Sequence, residues 1–273
     1  VKALFSLDKT FGCPPYDVNV SANQSPAITS YTWDFTGIPP SSGPIQVFSN
    51  PSNLSGIDEI KNIKLTVSSG FCSDVLTKSI IVYPQVEARG TALPVTIGCS
   101  PLTVNFQSQS ALYGTNAPIS NILWNFDDNS SSIANNIGHT FTNIDDTDPK
   151  TFNVTLTATT DKGCTDTKTI PITANPNVTA AFNAQIVKQC TPMQIRVVNA
   201  SFAGSAISTY SWNFNGGTPV IPPNNTDFIV EYSNPDPENP VTRAISLNIN
   251  NTFCNSSTTQ HFVIDPQVVA GLS

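Results

Sequence analysis

Apolar and polar residues alternate along short segments of this chain, and the alternating segments recur about every ninety residues. One set of segments follows a Cys-x-Pro triplet, and a second set ends just before another cysteine. Alternation with a period of two after a proline indicates a half-buried β-strand. The apolar residues of the first set are Tyr16, Val18 and Val20; Leu102, Val104 and Phe106; Met193, Ile195 and Val197. Those of the second set are Ile63, Leu65 and Val67; Val154, Leu156 and Ala158; Ile245, Leu247 and Ile249. No helical period of useful length accompanies them, so the pattern predicts an all-β chain.

The tryptophans and cysteines recur with the same period. Every tryptophan of the chain lies in a Trp-x-Phe triplet, and the three are Trp33, Trp124 and Trp212. One cysteine opens each unit and another closes it, and these positions are Cys13 and Cys72, Cys99 and Cys164, and Cys190 and Cys254. The sequences YPQV, NPNV and DPQV follow the last strand of each unit. The pattern therefore indicates a tandem array of one module.

The YPQV, NPNV and DPQV sequences set the expected domain boundaries. Equivalent positions are held by Val1, Val86, Val178 and Val268. The predicted domains are residues 1–84, 85–175 and 176–265, with residues 266–273 beginning a fourth repeat. Six or seven short strands per repeat, separated by turn residues, are typical of a β-sandwich. Because almost no linker separates the sandwiches, we expect an elongated rod of modules that belongs to a longer chain.

The repeats resemble polycystic-kidney-disease (PKD) domains, which are immunoglobulin-like β-sandwiches marked by a Trp-Asp-Phe-Gly-Asp-Gly motif. The Cys-x-Pro-Leu-Thr-Val form, with a second cysteine in the late hairpin, is similar to the bacterial branch of that family. The Gly-Asp-Gly turn is replaced at residues 36–38, 127–129 and 215–217, although the Gly, Asn and Asp residues there still favour a tight turn. The resemblance implies tandem immunoglobulin-like sandwiches of a large bacterial surface protein, of the kind exported by type IX secretion for gliding or adhesion.

The Trp-x-Phe triplets pose a choice between a sugar-stacking site and a core signature. Residues two apart on a strand share one face. In immunoglobulin-like folds a tryptophan on the third strand fills the core. The resemblance therefore favours a structural core, whose members are Trp33, Phe35, Trp124, Phe126, Trp212 and Phe214.

The composition narrows the class of protein. Charged residues make up 11% of the chain, against roughly 25% in ordinary soluble proteins, so neutral polar residues must cover most of the surface. The net charge is -7, and no cluster of Lys or Arg is present to neutralise nucleic-acid phosphates. The longest apolar runs have only the length of a strand, so we predict no membrane insertion. We expect an extracellular protein that binds no nucleic acid.

The sequence predicts no enzyme active site and no cofactor. The two histidines, His139 and His261, lie at non-equivalent positions and belong to no catalytic or metal-binding motif. Acidic loop residues are weak candidate Ca²⁺ ligands, because hard oxygen donors in loops suit this ion. These candidates are Asp127, Asp128, Asp145, Asp146 and Asp148. The acidic clusters differ between repeats and form no twelve-residue calcium loop, so solvated acidic loops are the simpler interpretation.

The six cysteines suggest disulfides formed outside the cytoplasm. In an immunoglobulin-like sandwich the first cysteine of each repeat lies at one pole and the second at the other, roughly 23 Å away for strands of about seven residues. Bonded cysteines need Cα atoms within about 7 Å, which favours bonds between neighbouring repeats. The expected pairs are Cys13–Cys164 and Cys99–Cys254, with Cys72 and Cys190 left for neighbouring repeats. The alternatives are reduced cysteines or pairs within repeats, namely Cys13–Cys72, Cys99–Cys164 and Cys190–Cys254.

These features favour a non-enzymatic function. The leading hypothesis is a stiff spacer or display stalk in a large bacterial adhesin or gliding-motility fibre, with neighbouring repeats of the same chain as its partners. The alternative is a polysaccharide-binding or spacer region of a secreted hydrolase, which a line of solvent-exposed aromatic residues would support. A surface that docks another cell-surface protein is a third hypothesis.

Overall fold

The computed structural model describes residues 1–36, 38–49, 52–117, 119, 121–144, 147–189, 191–203, 207–220, 226–236 and 238–266. Over these ranges the regular secondary structure consists of β-strands without any helix. No helix that could cross a membrane occurs in the described residues. The all-β class expected from the alternating pattern is confirmed.

The described part of the first repeat contains eight strands. They are β1 (Phe5–Leu7), β2 (Phe11–Gly12), β3 (Asp17–Ala22), β4 (Ser30–Phe35), β5 (Ile38–Ser42), β6 (Ile45–Ser49), β7 (Glu59–Ser68) and β8 (Ser73–Val82). One sheet has the order β1-β3-β6, and the other has the order β2-β8-β7-β4-β5. Strand β2 runs parallel to β8, and the other neighbouring strands are antiparallel. Two such sheets make the immunoglobulin-like sandwich.

The second repeat has the same two sheets. Its strands are β9 (Val86–Glu87), β10 (Gly90–Leu93), β11 (Ile97–Cys99), β12 (Leu102–Ser108), β13 (Ala111–Leu112), β14 (Asn121–Asn125), β15 (Ser131–Ser132), β16 (Asn136–Phe141), β17 (Lys150–Thr159) and β18 (Thr165–Asn175). The orders are β10-β12-β16 and β11-β18-β17-β14-β15, and β13 pairs separately with β9. Each strand of the first repeat therefore has a counterpart in the second.

The third repeat differs at one edge. Its strands are β19 (Val178–Thr179), β20 (Phe182–Lys188), β21 (Met193–Asn199), β22 (Phe202–Ala203), β23 (Thr209–Asn213), β24 (Thr218–Pro219), β25 (Asp227–Tyr232), β26 (Val241–Asn250) and β27 (Asn255–Ile264). The sheets are β20-β21-β25-β24, β23-β26-β27 and the pair β19-β22. The short strand β24 pairs with β25, whereas its counterparts β5 and β15 pair with the strand that carries the tryptophan. Short strands such as β19 and β22 also bring the number per repeat above the six or seven expected.

The chain divides into two compact units. The first contains residues 1–93, 105–137 and 153–170. The second contains residues 94–104, 138–152 and 171–273. The second repeat supplies residues to both units, so each unit contains one junction between neighbouring repeats.

Alternating residues fill the interior of each sandwich. In strand β3, Val18 and Val20 are fully buried, whereas Asp17 and Asn19, which alternate with them, are exposed. Strands β12 and β21 show the same alternation. The sequence pattern therefore identifies the face of each strand that lies in the core.

The aromatic residues of the Trp-x-Phe triplets are not equally buried. Trp33 and Trp124 are 0% exposed, and Phe35 and Phe126 are 2% exposed. Their counterparts in the third repeat are only half-buried, although they pack against its core; they are Trp212 and Phe214. The sequence predicts that both side chains are buried, whereas in the structure they are partly exposed.

The pairing of β24 accounts for this difference. Trp33 lies beside Ser41 of β5, and Trp124 lies beside Ser132 of β15. Among the described residues, β23 has no strand in that place, because β24 joins the opposite sheet. One side of Trp212 therefore lacks the strand that covers the tryptophan in the other repeats.

Candidate functional site: the junctions between repeats

A disulfide joins neighbouring repeats in the first unit. Cys13 follows β2 in the first repeat, and Cys164 lies in the hairpin between β17 and β18 of the second repeat. Their Cα atoms are 5.2 Å apart, and the bond spans 151 residues of sequence. Cys164 is 2% exposed, so the protein shields this side of the bond from solvent.

The second unit contains the equivalent bond one repeat later. Cys99, the last residue of β11, is bonded to Cys254, which precedes β27. The Cα atoms are 5.9 Å apart, and the bond spans 155 residues of sequence. These are the between-repeat pairs expected from the opposite poles of a sandwich. The within-repeat pairs Cys13–Cys72 and Cys99–Cys164 are not formed.

The remaining two cysteines lie outside these bonds. Cys72 is exposed and unpaired. It lies in the hairpin between β7 and β8, at the position that Cys164 and Cys254 hold in their own repeats. Cys190 lies outside the described residues.

A buried asparagine holds the end of each repeat. The three residues are Asn53, Asn143 and Asn234, which are 0%, 7% and 8% exposed. Each carboxamide donates a hydrogen bond to a carbonyl near the end of the last strand, and the acceptors are Val82, Ala174 and Ile264 at 2.7, 2.9 and 3.0 Å. Each also donates to a carbonyl in the loop that follows it, and those acceptors are Ile57, Asp148 and Asn239 at 2.6, 2.7 and 2.9 Å. The carboxamide therefore ties this loop to the strand that leads into the junction.

Sequence reasoning missed these asparagines. In the second and third repeats the asparagine stands two residues after a buried aromatic residue, in Phe141-Thr142-Asn143 and Tyr232-Ser233-Asn234. The first repeat has three additional residues between Phe48 and its asparagine, which breaks the alignment. A pattern of two copies in a chain rich in asparagine gives only a weak signal.

A side chain two residues after the second cysteine anchors the start of each repeat. Its oxygen accepts a hydrogen bond from the backbone N–H of an alanine in the entering segment. The acceptor–donor pairs are Asp74–Ala3, Asp166–Ala88 and Ser256–Ala180, at 2.8, 2.8 and 3.0 Å. The hydrogen bond from Ala3 is the main reason that the pKa of Asp74 is lowered from its ordinary value. The entering segment is therefore tied to the last strand of its own repeat.

The linker of the first unit is held from both sides. The backbone N–H of Tyr113 donates to the carbonyl of Gln85 at 2.8 Å, and the N–H of Gln85 donates to the carbonyl of Asn53 at 3.1 Å. Gly114 approaches the first repeat so closely that an added Cβ would lie 2.8 Å from the carbonyl oxygen of Leu54. Its φ of +70° also favours glycine. Backbone contacts therefore hold this junction in addition to the disulfide.

Two acidic residues proposed as calcium ligands, Asp127 and Asp128 in the first unit, accept hydrogen bonds from backbone N–H groups. Asp127 accepts a hydrogen bond from the backbone N–H of Asn153 at 2.9 Å. Asp128 accepts one from the backbone N–H of Ser130 at 3.0 Å. The carboxylate of Asp127 therefore ties the turn after the Trp-x-Phe strand to β17, and that of Asp128 stabilises the turn itself.

The other acidic candidates follow β16. Asp148, in the second unit, accepts a hydrogen bond from the hydroxyl of Thr147 at 3.3 Å. Asp145 and Asp146 lie outside the described residues. In the ranges that the structure describes, no group of three or more His, Cys, Asp or Glu side chains could hold a metal ion.

Comparison with known protein families finds a match that covers the second repeat. A model of the PKD domain family matches residues 84–174. None of the curated protein sequences compared with the chain matches it. The second repeat, which carries Trp124, Cys99 and Cys164, is therefore similar to PKD domains.

Solved structures similar to the chain are tandem domains. The three N-terminal domains of the outer capsid protein Hoc of bacteriophage RB49 are 11% identical, with 98% of this chain and 99% of that chain covered and a TM-score of 0.35. Fibronectin(III)-like modules of Clostridium thermocellum CbhA are 11% identical, with 64% and 94% covered and a TM-score of 0.30. The FN1–FN3 domains of chicken CNTN1 are 8% identical, with 95% and 97% covered and a TM-score of 0.27. By its sheet topology the chain consists of tandem immunoglobulin-like β-sandwiches, and residues 84–174 match the model of the PKD domain family.

Proposed function

We propose that this chain is a non-enzymatic, extracellular segment of a large bacterial surface fibre of the adhesin or gliding-motility kind. In that fibre it acts as a spacer or display stalk, and its partners are neighbouring repeats of the same chain. The observation that carries the proposal is the pair of disulfides between neighbouring repeats. A bond within one repeat protects only that repeat, whereas a bond between neighbours transmits tension from one repeat to the next.

The covalent connectivity limits how far such a segment can be extended. Cys99 lies inside the loop closed by Cys13 and Cys164, so the two disulfide loops overlap. Tension between Cys13 and Cys254 can therefore follow either of two short covalent paths. One runs through residues 13–99 and the bond from Cys99 to Cys254, and the other through the bond from Cys13 to Cys164 and residues 164–254. At ~3.5 Å per extended residue, the oxidised chain can reach about 400 Å and the reduced chain about 950 Å. Disulfides connected in this way therefore limit how far the stalk can extend when its sandwiches unfold.

The composition supports a location outside the cytoplasm. Disulfides form and persist in oxidising surroundings and are rare in cytosolic proteins. Charged residues make up only 11% of the chain, so neutral polar residues cover most of its surface, which is consistent with an extracellular location.

The unpaired Cys72 extends the proposal beyond this segment. It occupies the hairpin position whose counterparts, Cys164 and Cys254, are both bonded to the preceding repeat. We assign Cys72 to the Cys-x-Pro turn of a preceding repeat and Cys190 to the hairpin of a following one. Peptide mapping under non-reducing conditions should then find two alkylated cysteines, Cys72 and Cys190, in the isolated segment. A peptide that links Cys13 to Cys72 would contradict this assignment.

Single-molecule stretching between the chain ends tests the extension limit. The oxidised chain should stop at about 400 Å, and a chain with all cysteines replaced by serine should reach about 950 Å. Two matched variants carry one disulfide each, Cys13→Ser with Cys164→Ser and Cys99→Ser with Cys254→Ser. Both should still stop near 400 Å, at about 3.5 Å per residue, because either bond alone bypasses most of the chain. Pairing within repeats would instead give a limit of about 300 Å on the same scale.

The surface location has its own test. Antibodies raised against the segment should label intact cells of the source organism without permeabilisation. Labelling that requires permeabilisation would contradict the surface proposal while leaving the disulfide connectivity untouched.

A further inference from the structure

Strand β23 of the third repeat has one open edge. Among the described residues it pairs with β26 on one side, over its whole length, and with no strand on the other. Its counterparts β4 and β14 are paired on both sides, because β5 and β15 lie against the edge that is open in β23. The described part of the third repeat therefore has no strand in a place that a strand fills in each of the other repeats.

The backbone groups that point to this edge follow from the first repeat. There the N–H of Gly43, the residue after β5, donates to the carbonyl of Tyr31 at 3.3 Å. An antiparallel pair bonds through alternate residues, whose N–H and C=O groups point to the same side. Tyr31 and Trp33 therefore face β5, and their counterparts Tyr210 and Trp212 face the open edge. The backbone groups of Tyr210 and Trp212 are thus placed to bond a further strand.

The indole of Trp212 lacks a partner on the same side. Its ring is half-buried against the core, and its Nε1 is buried without an acceptor in the described residues. In the first repeat the equivalent Nε1 of Trp33 donates to the carbonyl of Gly43, in the segment that also supplies β5. A buried donor without an acceptor is costly. Nε1 of Trp124 also lacks an acceptor although β15 covers that ring, so the β5 segment is the better guide to what Trp212 needs.

The open edge carries none of the features by which proteins prevent strand addition. Edge strands are commonly blocked by Pro, Lys or a bulge. The edge strand β5 contains Pro39 and Pro40 and shifts register against β4, and β24 contains Pro219. Strand β23 has the sequence Thr-Tyr-Ser-Trp-Asn, which contains no charged residue and no proline, and it keeps one register against β26. Such an edge is suited to receive an extended peptide.

We infer that β23 binds an extended, neutral peptide segment of another protein by antiparallel strand addition, with a serine or glycine opposite Trp212. The residue opposite the tryptophan is Ser41 in the first repeat and Ser132 in the second, so a small side chain fits there. The β23 edge of a second copy offers Tyr210 and Trp212 for this position, and both are far larger than serine. The inference is independent of the proposed function, because a stalk requires no bound peptide.

The test adds a synthetic peptide with the sequence of residues 38–44, Ile-Pro-Pro-Ser-Ser-Gly-Pro, to the whole ¹⁵N-labelled chain. The indole N–H signal of Trp212, identified by its absence in Trp212→Phe, should shift saturably. The signals of Trp33 and Trp124 are internal controls that should stay in place, because their strands are already paired on both sides. Hydrogen exchange of the amides of Tyr210 and Trp212 should slow when the peptide is bound.

Two altered peptides separate backbone pairing from unspecific contact. Sarcosine in place of Gly43 removes the N–H that bonds the carbonyl of Tyr31 in the first repeat, and this peptide should bind about tenfold more weakly. The Ser41→Trp peptide should not bind, because it places a large ring opposite Trp212.

The inference is overturned if the Trp212 signal does not shift saturably or if the sarcosine peptide binds as tightly as the unmodified one. It is equally overturned if the amides of Tyr210 and Trp212 in the free chain exchange as slowly as those of Tyr31 and Trp33, since the edge would then be occupied already. Light scattering of the free chain would in that case identify a second copy as the occupant by a dimeric mass. None of these outcomes alters the disulfide connectivity on which the proposed function rests.

Discussion

The first and second repeats bury the same tryptophan in different surroundings. In the first repeat the ring of Phe5 packs edge-on against Trp33, with ring centroids 5.1 Å apart. In the second repeat Gly90 holds the position of Phe5, and an added Cβ would lie 2.8 Å from Cη2 of Trp124. The indole of Trp124 thus takes up space that belongs to a phenylalanine ring in the first repeat. Interiors must be filled to close-packed density, and two different sets of side chains achieve this.

The indole N–H groups differ as well. Nε1 of Trp33 donates a hydrogen bond to the carbonyl of Gly43 at 2.8 Å. Nε1 of Trp124 is buried, and no acceptor for it lies in the described part of the chain. The Trp-x-Phe triplet therefore places a large aromatic side chain on the buried face of the strand. The contacts that the indole then makes differ between the repeats.

The largest expected loss of stability comes from removing the indole ring of the tryptophan. Trp33→Ala and Trp124→Ala should each lower the free energy of unfolding of their own repeat by about 3–5 kcal/mol, as for other large truncations in cores. This is comparable to the whole stability of a small domain. Trp212→Ala should cost less, because that ring is half-buried. Differential scanning calorimetry of the three variants checks the order, and equal losses would contradict the difference in burial.

A smaller effect should follow from crowding the second repeat. Gly90→Ala places a methyl group against Trp124 and also within 3.1 Å of Leu156. Overpacking of this kind costs about 1–3 kcal/mol. Chemical denaturation measures it, with the exposed substitution Ser131→Ala as a control that should change stability by less than about 0.5 kcal/mol. A gain of stability in Gly90→Ala would mean that the indole does not fill this space.

Replacing the indole by a phenyl ring isolates the hydrogen bond. Trp33→Phe leaves the carbonyl of Gly43 without its donor, whereas Trp124→Phe removes a donor that has no acceptor in the described residues. The first substitution should therefore cost about 1 kcal/mol more than the second, since the loss of ring volume is the same in both. Urea unfolding of the two variants provides the comparison. Equal costs would show that the bond to Gly43 contributes nothing.

Acid should affect the first and third repeats differently. The hydrogen bond from Ala3 lowers the pKa of Asp74 in the folded state, so its contribution to stability is complete above the ordinary pKa. That contribution is lost as the pH falls from the ordinary pKa through the lowered one. Ser256 holds the same place in the third repeat and does not titrate there. Asp74→Asn should flatten the acid dependence of the first repeat, and Ser256→Ala should lower stability equally at all pH values.

The sequence predicts much of the fold because its pattern repeats. Alternation marks the buried face of β3, β12 and β21, and the placement of cysteines at opposite poles leads to the pairs that the structure contains. These features depend on the period of a strand and on the reversal of successive strands, which are local properties of the chain. Because the same alternation and the same cysteine positions occur in three repeats, they are unlikely to have arisen by chance.

The remaining features depend on contacts that no local pattern records. Asn53 is fully buried and donates its carboxamide protons to the carbonyl of Ile57 in the following loop and to that of Val82 at the end of β8, yet in sequence it looks like a surface residue. The half-burial of Trp212 follows from the sheet that β24 joins, and two residues carry too little pattern to reveal this choice.

The overlap of the two disulfide loops also determines what a protease can do to this chain. A single cut between Cys13 and Cys99 is bridged by the bond to Cys164, and a single cut between Cys164 and Cys254 is bridged through Cys99. A cut in the stretch between Cys99 and Cys164 leaves both ends attached as well. Proteases act first at exposed loop tips, which a chain of short strands presents in large number. One nick anywhere from Cys13 to Cys254 therefore leaves a single covalent molecule, and the ends of the segment stay connected.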